Sequence, residues 1–169
     1  MYEPGEDSQL MVDAVRKVNA KGEKALDMGT GTGIVARELA ERFEEVWAVD
    51  VNPEVLRGTL EWPGNVNVLV SDLFENVKTN LKFDLITFNP PYLPEPYEED
   101  RELNCGDGEV LEKFLAGAGG RLTENGKVLL LLSSLTPELG LEGWRKRGVV
   151  GLKLDFEELF VLELTRRGP

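Results

Sequence analysis

Lys24-Ala25-Leu26-Asp27-Met28-Gly29-Thr30-Gly31-Thr32-Gly33-Ile34 reads as a short strand running directly into alternating glycines. Glycine adopts backbone angles closed to other residues, so three of them let the chain turn tightly and approach a ligand closely. A dinucleotide fingerprint would need G-x-G-x-x-G/A, and position 34, where its last small residue would fall, is Ile. A phosphate loop fails as well, because no Gly-Lys-Ser/Thr follows. What remains is an acidic residue ahead of G-x-G-x-G. Asp27 at the mouth of such a loop repels a pyrophosphate and favours a cationic group.

Outward from the loop, the pattern alternates between two periods. Upstream, Asp7 and Ser8 are both good N-cap types, and Leu10, Met11, Ala14, Val15 and Val18 then recur at helical spacing. Downstream, Ile34, Val35, Leu39 and Phe43 mark a second helix. Val46 to Val49 is a continuous apolar strand ending at Asp50. Pro53 suits the first turn of a short helix reaching about Leu60. Val66 to Val70 predicts a third strand, ending at Ser71-Asp72. Phe83 to Phe88 predicts a fourth, ending at Asn89-Pro90-Pro91-Tyr92. Val110, Leu111, Phe114, Leu115 and Ala118 form a helical stripe closed by Gly119-Gly120. Val128 to Leu132 predicts a fifth strand, Pro137 to Lys146 a short helix, and Val149–Asp155 and Glu158–Thr165 two final strands.

Strands alternating with helices predict an α/β protein, a doubly wound parallel sheet with helices on both faces. The last two strands lie too close together for a helical crossover and should form an antiparallel hairpin. Ligands of such sheets sit at the carboxyl ends of the strands, at the topological switch point. Those ends carry Asp27, Asp50, Asp72 and Asn89.

Length and charge narrow the function. The 169 residues suit one domain over 1–169, with no linker dividing them. One cysteine and no histidine exclude a disulfide framework, a Cys/His zinc cluster and histidine-based nucleophilic catalysis. Cys105, with no histidine to activate it, reads as structural. Nineteen basic against 31 acidic side chains leave a net charge of −12, which disfavours unaided nucleic-acid binding. No apolar run could span a bilayer, and no signal peptide precedes Glu3–Asp7, so a soluble, cytoplasmic protein without a membrane partner is expected.

A carboxylate at Asp50 can accept both hydroxyl protons of a ribose, and one at Asp72 can accept from an adenine amino group. With the glycine loop, these residues resemble motifs I, II and III of class I S-adenosylmethionine-dependent methyltransferases. The resemblance covers nearly the whole chain. It implies a seven-stranded sheet in the order 3-2-1-4-5-7-6 with strand 7 antiparallel. It implies S-adenosylmethionine as cofactor and S-adenosylhomocysteine as product, held by Asp27, Gly29, Gly31, Gly33, Asp50, Asp72, Leu73 and Asn89.

Asn89-Pro90-Pro91-Tyr92 adds the reaction. Two prolines fix the chain and remove competing amide donors, so the Asn89 side chain and the Pro90 carbonyl can converge on one point. Two acceptors there hold a planar NH2 group by both hydrogens, and Tyr92 offers a face to stack on it. The tetrapeptide resembles the N-P-P-Y motif of methyltransferases acting on exocyclic amines or amides. That class includes adenine-N6, guanine-N2 and HemK-related glutamine-N5 enzymes. Asn89, Pro90 and Tyr92 are the implied catalytic residues, and Asn89 to Tyr92 the implied substrate contacts.

Tyr2-Glu3-Pro4-Gly5-Glu6-Asp7-Ser8 resembles the Y-E-P-x-E-D-T/S start of archaeal and eukaryotic glutamine methyltransferases of class 1 release factors. The resemblance implies that segment 1–22 covers the cofactor site, with Ser8 reaching the cofactor. The implied substrate is the glutamine of a release factor's Gly-Gly-Gln motif. Where the family usually shows a Gly-Gly pair and then x-Gly, this chain has Cys105-Gly106-Asp107-Gly108. Between Glu95 and Glu112 stand eight acids and one base, Arg101, either a solvated face or a docking surface for a basic partner. A DNA or RNA exocyclic-amine methyltransferase is the alternative, and a cofactor-binding module without catalysis a third reading. Strand 66–70 has no Lys, Pro or internal charge, so as an edge strand it lacks the usual protection. The resemblance implies that a small zinc-ribbon-like activator subunit pairs there.

Overall fold

The apolar runs come together as one sheet in the computed structural model, which describes residues 5–58, 61–90 and 108–168. In chain order the elements are α1 (Glu6–Lys17), β1 (Gly22–Met28), α2 (Ile34–Ala40), β2 (Phe43–Asp50), α3 (Pro53–Leu56), β3 (Val66–Val70) and β4 (Phe83–Phe88). They continue with α4 (Glu109–Ala118), a 3-10 turn at Gly119–Arg121, β5 (Leu122–Ser133), β6 (Trp144–Lys153) and β7 (Glu158–Arg166). The strand order is β3-β2-β1-β4-β5-β7-β6. Every neighbouring pair from β3 to β5 is parallel, whereas β7 runs antiparallel to both β5 and β6. This is the expected order, with the seventh strand antiparallel as expected.

Successive side chains of a strand point to opposite faces, so doubly covered strands must be apolar throughout. Ala25, Leu85, Leu129 and Leu131 pack on one face with Met11, Ala14, Val15, Val35 and Leu39 of α1 and α2. Leu26, Ile86, Val128 and Leu130 pack on the other with Leu111, Phe114 and Leu115 of α4. The chain leaves β1 for β2 on one side, and β4 lies on the other. The switch point therefore falls at Asp27-Met28, which pair with Ala48-Val49 and with Thr87-Phe88.

Three expected elements differ. Phe43 opens β2 rather than extending α2. The Asn65 side chain donates to Ala40 O at 2.9 Å and Phe43 O at 3.0 Å, satisfying carbonyls a longer helix would have used. The helix of Pro53 closes after one turn at Leu56, short of Leu60. No helix forms over Pro137–Lys146: residues 137–141 are irregular and Trp144 begins β6. Gly140 and Gly143 are poor helix formers. Trp144 instead buries its ring near Gly119 and opens the ladder opposite Arg166.

Helix α1 is tied at two points, which matters for the site below. Arg16 donates to both carboxylate oxygens of Glu38 on α2, at 3.0 and 2.9 Å, and Arg42 adds a third bond at 3.0 Å. The hydrogen bond from Arg16 holds the Glu38 carboxyl below the usual range, against the opposing effect of burial. Lys17 Nζ donates to Val149 O at 2.7 Å, where the β6–β7 register shifts between Gly148 and Val150.

Candidate active site

The glycine loop has the geometry its sequence requires. Gly29, Gly31 and Gly33 all have positive φ, at 64, 54 and 82°. A Cβ on Gly29 would stand 3.4 Å from the Phe88 ring, so the loop lies against the end of β4. A Cβ on Gly33 would stand 2.5 Å from the Trp62 ring, over which the Arg37 guanidinium stacks at 5.1 Å. The loop is pinned by Thr30 N to Val49 O at 2.9 Å and Gly33 N to Thr30 O at 2.8 Å.

Asp27 lies beneath this loop rather than at its mouth. It is 3% exposed, and its two oxygens accept from Thr30 Oγ1 at 2.8 Å and Thr87 Oγ1 at 2.7 Å. Burial pushes the Asp27 carboxyl up to about 6, although both hydroxyls and Ala36 act the other way. Asp50, at the end of β2, reaches the loop. Its Oδ2 accepts from Gly31 N at 3.0 Å and its Oδ1 from Asn52 N at 3.0 Å.

Asp72 is exposed just beyond β3 and borders a cleft of about 360 Å³ with Leu73 and Phe74. Leu73 has φ 49°, a left-handed conformation that costs a branched side chain of the order of 1–3 kcal/mol. Ser71 holds it there, donating from Oγ to Leu73 O at 2.8 Å and accepting from Asn76 N at 2.9 Å. Such strain, kept beside a strand end, is typical of ligand-holding segments.

Asn89 Nδ2 donates to Asp7 Oδ2 at 2.9 Å. Its Oδ1 is buried and has no hydrogen-bond partner among the described residues. An orphaned buried acceptor costs about 1–3 kcal/mol, so it points to a donor that arrives from outside. Pro90 is buried beside it. Asp7 and Ser8 are not N-caps; Gly5 is, and both lie buried in the first turn of α1. The Ser8 amide donates to Asp7 Oδ1 at 2.8 Å.

The described candidates therefore gather at one end of the sheet around the switch point. Pro91, Tyr92, Cys105 and most of the acidic segment, residues 95–107, lie outside the described residues, as do Tyr2, Glu3 and Pro4. Two participants were not expected: Asp7 as a partner of Asn89, and Trp62 as the cover over Gly33. Asp7 stands within the Tyr2–Ser8 stretch, which was the available signal. Nothing local marks Trp62. Carboxylates at Asp50 and Asp72, a buried acid below a bare glycine backbone and a free buried acceptor suit a cationic, hydroxyl-bearing ligand and an NH2 donor.

On the outer edge of the sheet, Val68 and Val70 of β3 are 43% and 42% exposed, and Val51 beside them is more so. No helix among the described residues is long and apolar enough to cross a membrane.

The family described as "Methyltransferase small domain" matches this chain over residues 4–139. A Methanocaldococcus jannaschii protein, named provisionally as a protein N5-glutamine methyltransferase, is 37% identical over 185 residues, covering 98% of this chain and 92% of its own. Methyltransferase HEMK2 of Homo sapiens is 33% identical over 192 residues, covering 98% and 90%. Among solved structures, the E. cuniculi Mtq2–Trm112 complex, described as responsible for methylation of the eRF1 translation termination factor, superposes with a TM-score of 0.77. It is 25% identical and covers 98% of both chains.

Proposed function

The chain belongs to the methyltransferase small domain family, and from that premise we propose the reaction and the residues that perform it. It is a HemK-related, S-adenosylmethionine-dependent methyltransferase that acts on the side-chain amide nitrogen of a protein glutamine. The substrate is a class 1 release factor, at the glutamine of its Gly-Gly-Gln motif. The observation that carries this reading is the Asn89 Oδ1 at the end of β4, beside the glycine loop, buried and without a partner among the described residues.

S-adenosylmethionine supplies an electrophilic methyl on a sulfonium, open to direct in-line displacement by nitrogen. Asp50 would accept hydrogen bonds from the ribose hydroxyls, Asp72 and Leu73 would hold the adenine, and Ser8 would close over the ligand from α1. The negative charge of Asp27, with Gly29, Gly31 and Gly33 above it, favours a cationic ligand at close backbone approach. Asn89 Oδ1 and the Pro90 carbonyl would accept hydrogen bonds from the two N–H groups of the glutamine amide, and Tyr92, outside the described residues, is the aromatic the motif offers to that plane. Holding the nitrogen in line matters because an amide lone pair is delocalised and attacks poorly. The same two oxygens stabilise the positive charge that grows on nitrogen during transfer. The proton then leaves to solvent.

The active form carries a small partner subunit, as the Mtq2–Trm112 assembly does. We place it on the β3 edge, where Val68 and Val70 are exposed, as an added strand, and take it to bind zinc. The acidic surplus of the chain opposes nucleic acid as a substrate and favours a basic protein face. A translation factor as substrate sets the work in the cytoplasm, carried by residues 1–169 as one domain. The test is transfer of labelled methyl in the presence of the partner subunit, with release factor, transfer RNA and DNA offered together. Label in the factor alone supports this reading. Label in nucleic acid alone replaces it with an exocyclic-amine methyltransferase.

A further inference from the structure

We infer that Asp7 is a positioning residue for methyl transfer, holding the Asn89 amide in the one orientation that leaves Oδ1 toward the acceptor nitrogen. The inference rests on the glutamine reading above. A carboxylate can only accept hydrogen bonds, so the Asn89 atom facing Asp7 Oδ2 at 2.9 Å must be Nδ2. The amide is planar, so Oδ1 is then turned away from Asp7, buried and without a partner among the described residues.

A flipped amide would present its NH2 to the substrate NH2, two donors facing each other. Without Asp7 nothing among the described bonds distinguishes the two orientations. Asp7 is well placed to impose one. It is 3% exposed, its second oxygen is occupied by the Ser8 amide at 2.8 Å, and its helix is anchored through Arg16 to Glu38 and through Lys17 to Val149. The contact joins the first turn of α1 to the end of β4, so the amino-terminal helix takes part in the chemistry rather than only covering the site.

The test is Asp7→Asn, which keeps the shape and turns a carboxylate into an amide. Its oxygen can still accept from the Ser8 amide, leaving its NH2 toward Asn89 and drawing the Asn89 oxygen round. The expected result is a fall in kcat of about a hundredfold, the scale for a misplaced reacting group, with donor affinity and melting temperature near wild type. The double variant Asp7→Asn/Asn89→Asp should recover much of that loss. A carboxylate at 89 has acceptors on both sides and receives the new donor at 7, a rescue a merely structural role would not give. Wild-type kcat in Asp7→Asn, or a double variant no better than Asp7→Asn, would overturn the inference. A readout independent of substrate is the Asn89 side-chain NH2 signal in nuclear magnetic resonance. It should be protected from exchange in the wild type and lose that protection in Asp7→Ala. Fast exchange in the wild type would also overturn the inference. If glutamine is not methylated at all while this protection holds, the failure lies with the functional reading and not with the Asp7–Asn89 contact.

Discussion

Thr87 Oγ1 of β4 donates to Asp27 Oδ1 of β1 at 2.7 Å, across the strand pair at the switch point. With Thr30 on the other oxygen, the carboxylate is fixed under the glycine loop and shut off from water. Burial raises its pKa to about 6, with Asp50 as the charged neighbour that adds to the rise. An ionised Asp27 attracts the sulfonium cation and a protonated one does not. Donor affinity should therefore fall as pH drops through about 6, and Asp27→Asn should bind more weakly with a flatter profile over that range. Calorimetric titration at several pH values measures both. For the free protein the sign is opposite. The folded state holds this proton more tightly than the unfolded chain does, so the contribution to stability is fully present below the ordinary carboxyl range and is lost as pH rises through about 6.

Asp50→Ala removes the acceptor expected for the ribose and also releases Gly31 N and Asn52 N. Donor binding should weaken by about 1.5–3 kcal/mol, the range for hydrogen bonds to a charged group. Calorimetry showing wild-type affinity would remove Asp50 from the cofactor site.

Gly33→Ala meets two obstacles, a φ of 82° and a Trp62 ring 2.5 Å from the new methyl. Thermal unfolding should show a loss of about 1–3 kcal/mol. Adding Trp62→Ala should return only part of it, because the backbone strain stays. Complete recovery would mean that the clash alone mattered.

Val68→Lys sets a charge in the middle of the exposed β3 edge, a device by which natural sheets refuse added strands. The isolated chain should keep its stability within about 0.5 kcal/mol, as exposed substitutions usually do. Co-purification with the activator subunit should be lost. Undiminished pairing would move the partner to another surface.

Most of the sheet could be read in advance because its strands are buried on both faces and so stand out as apolar runs. Their spatial order came from the family resemblance, since periodicity says nothing about which strand neighbours which. The failures have local causes. Phe43 continues the helical spacing of α2, but the Asn65 side chain ends that helix first. Trp144 falls inside the span read as a helix because the strand it opens continues with Arg145, Lys146, Arg147 and Gly148, which leaves little apolar alternation. At the site, the loop and the strand-end residues were visible as local motifs. The Asp7–Asn89 pair was not, because its two halves stand far apart in the chain and meet only through the packing of α1. Trp62 over Gly33 was hidden for the same reason.

The most direct measurement is mass spectrometry of a class 1 release factor after incubation with this chain, its activator subunit and S-adenosylmethionine. The glutamine of the Gly-Gly-Gln peptide should gain one methyl on its side-chain nitrogen, and the gain should vanish with Asn89→Ala enzyme. An unmodified glutamine, with methyl recovered instead on adenine or guanine amino groups of added nucleic acid, would contradict the account.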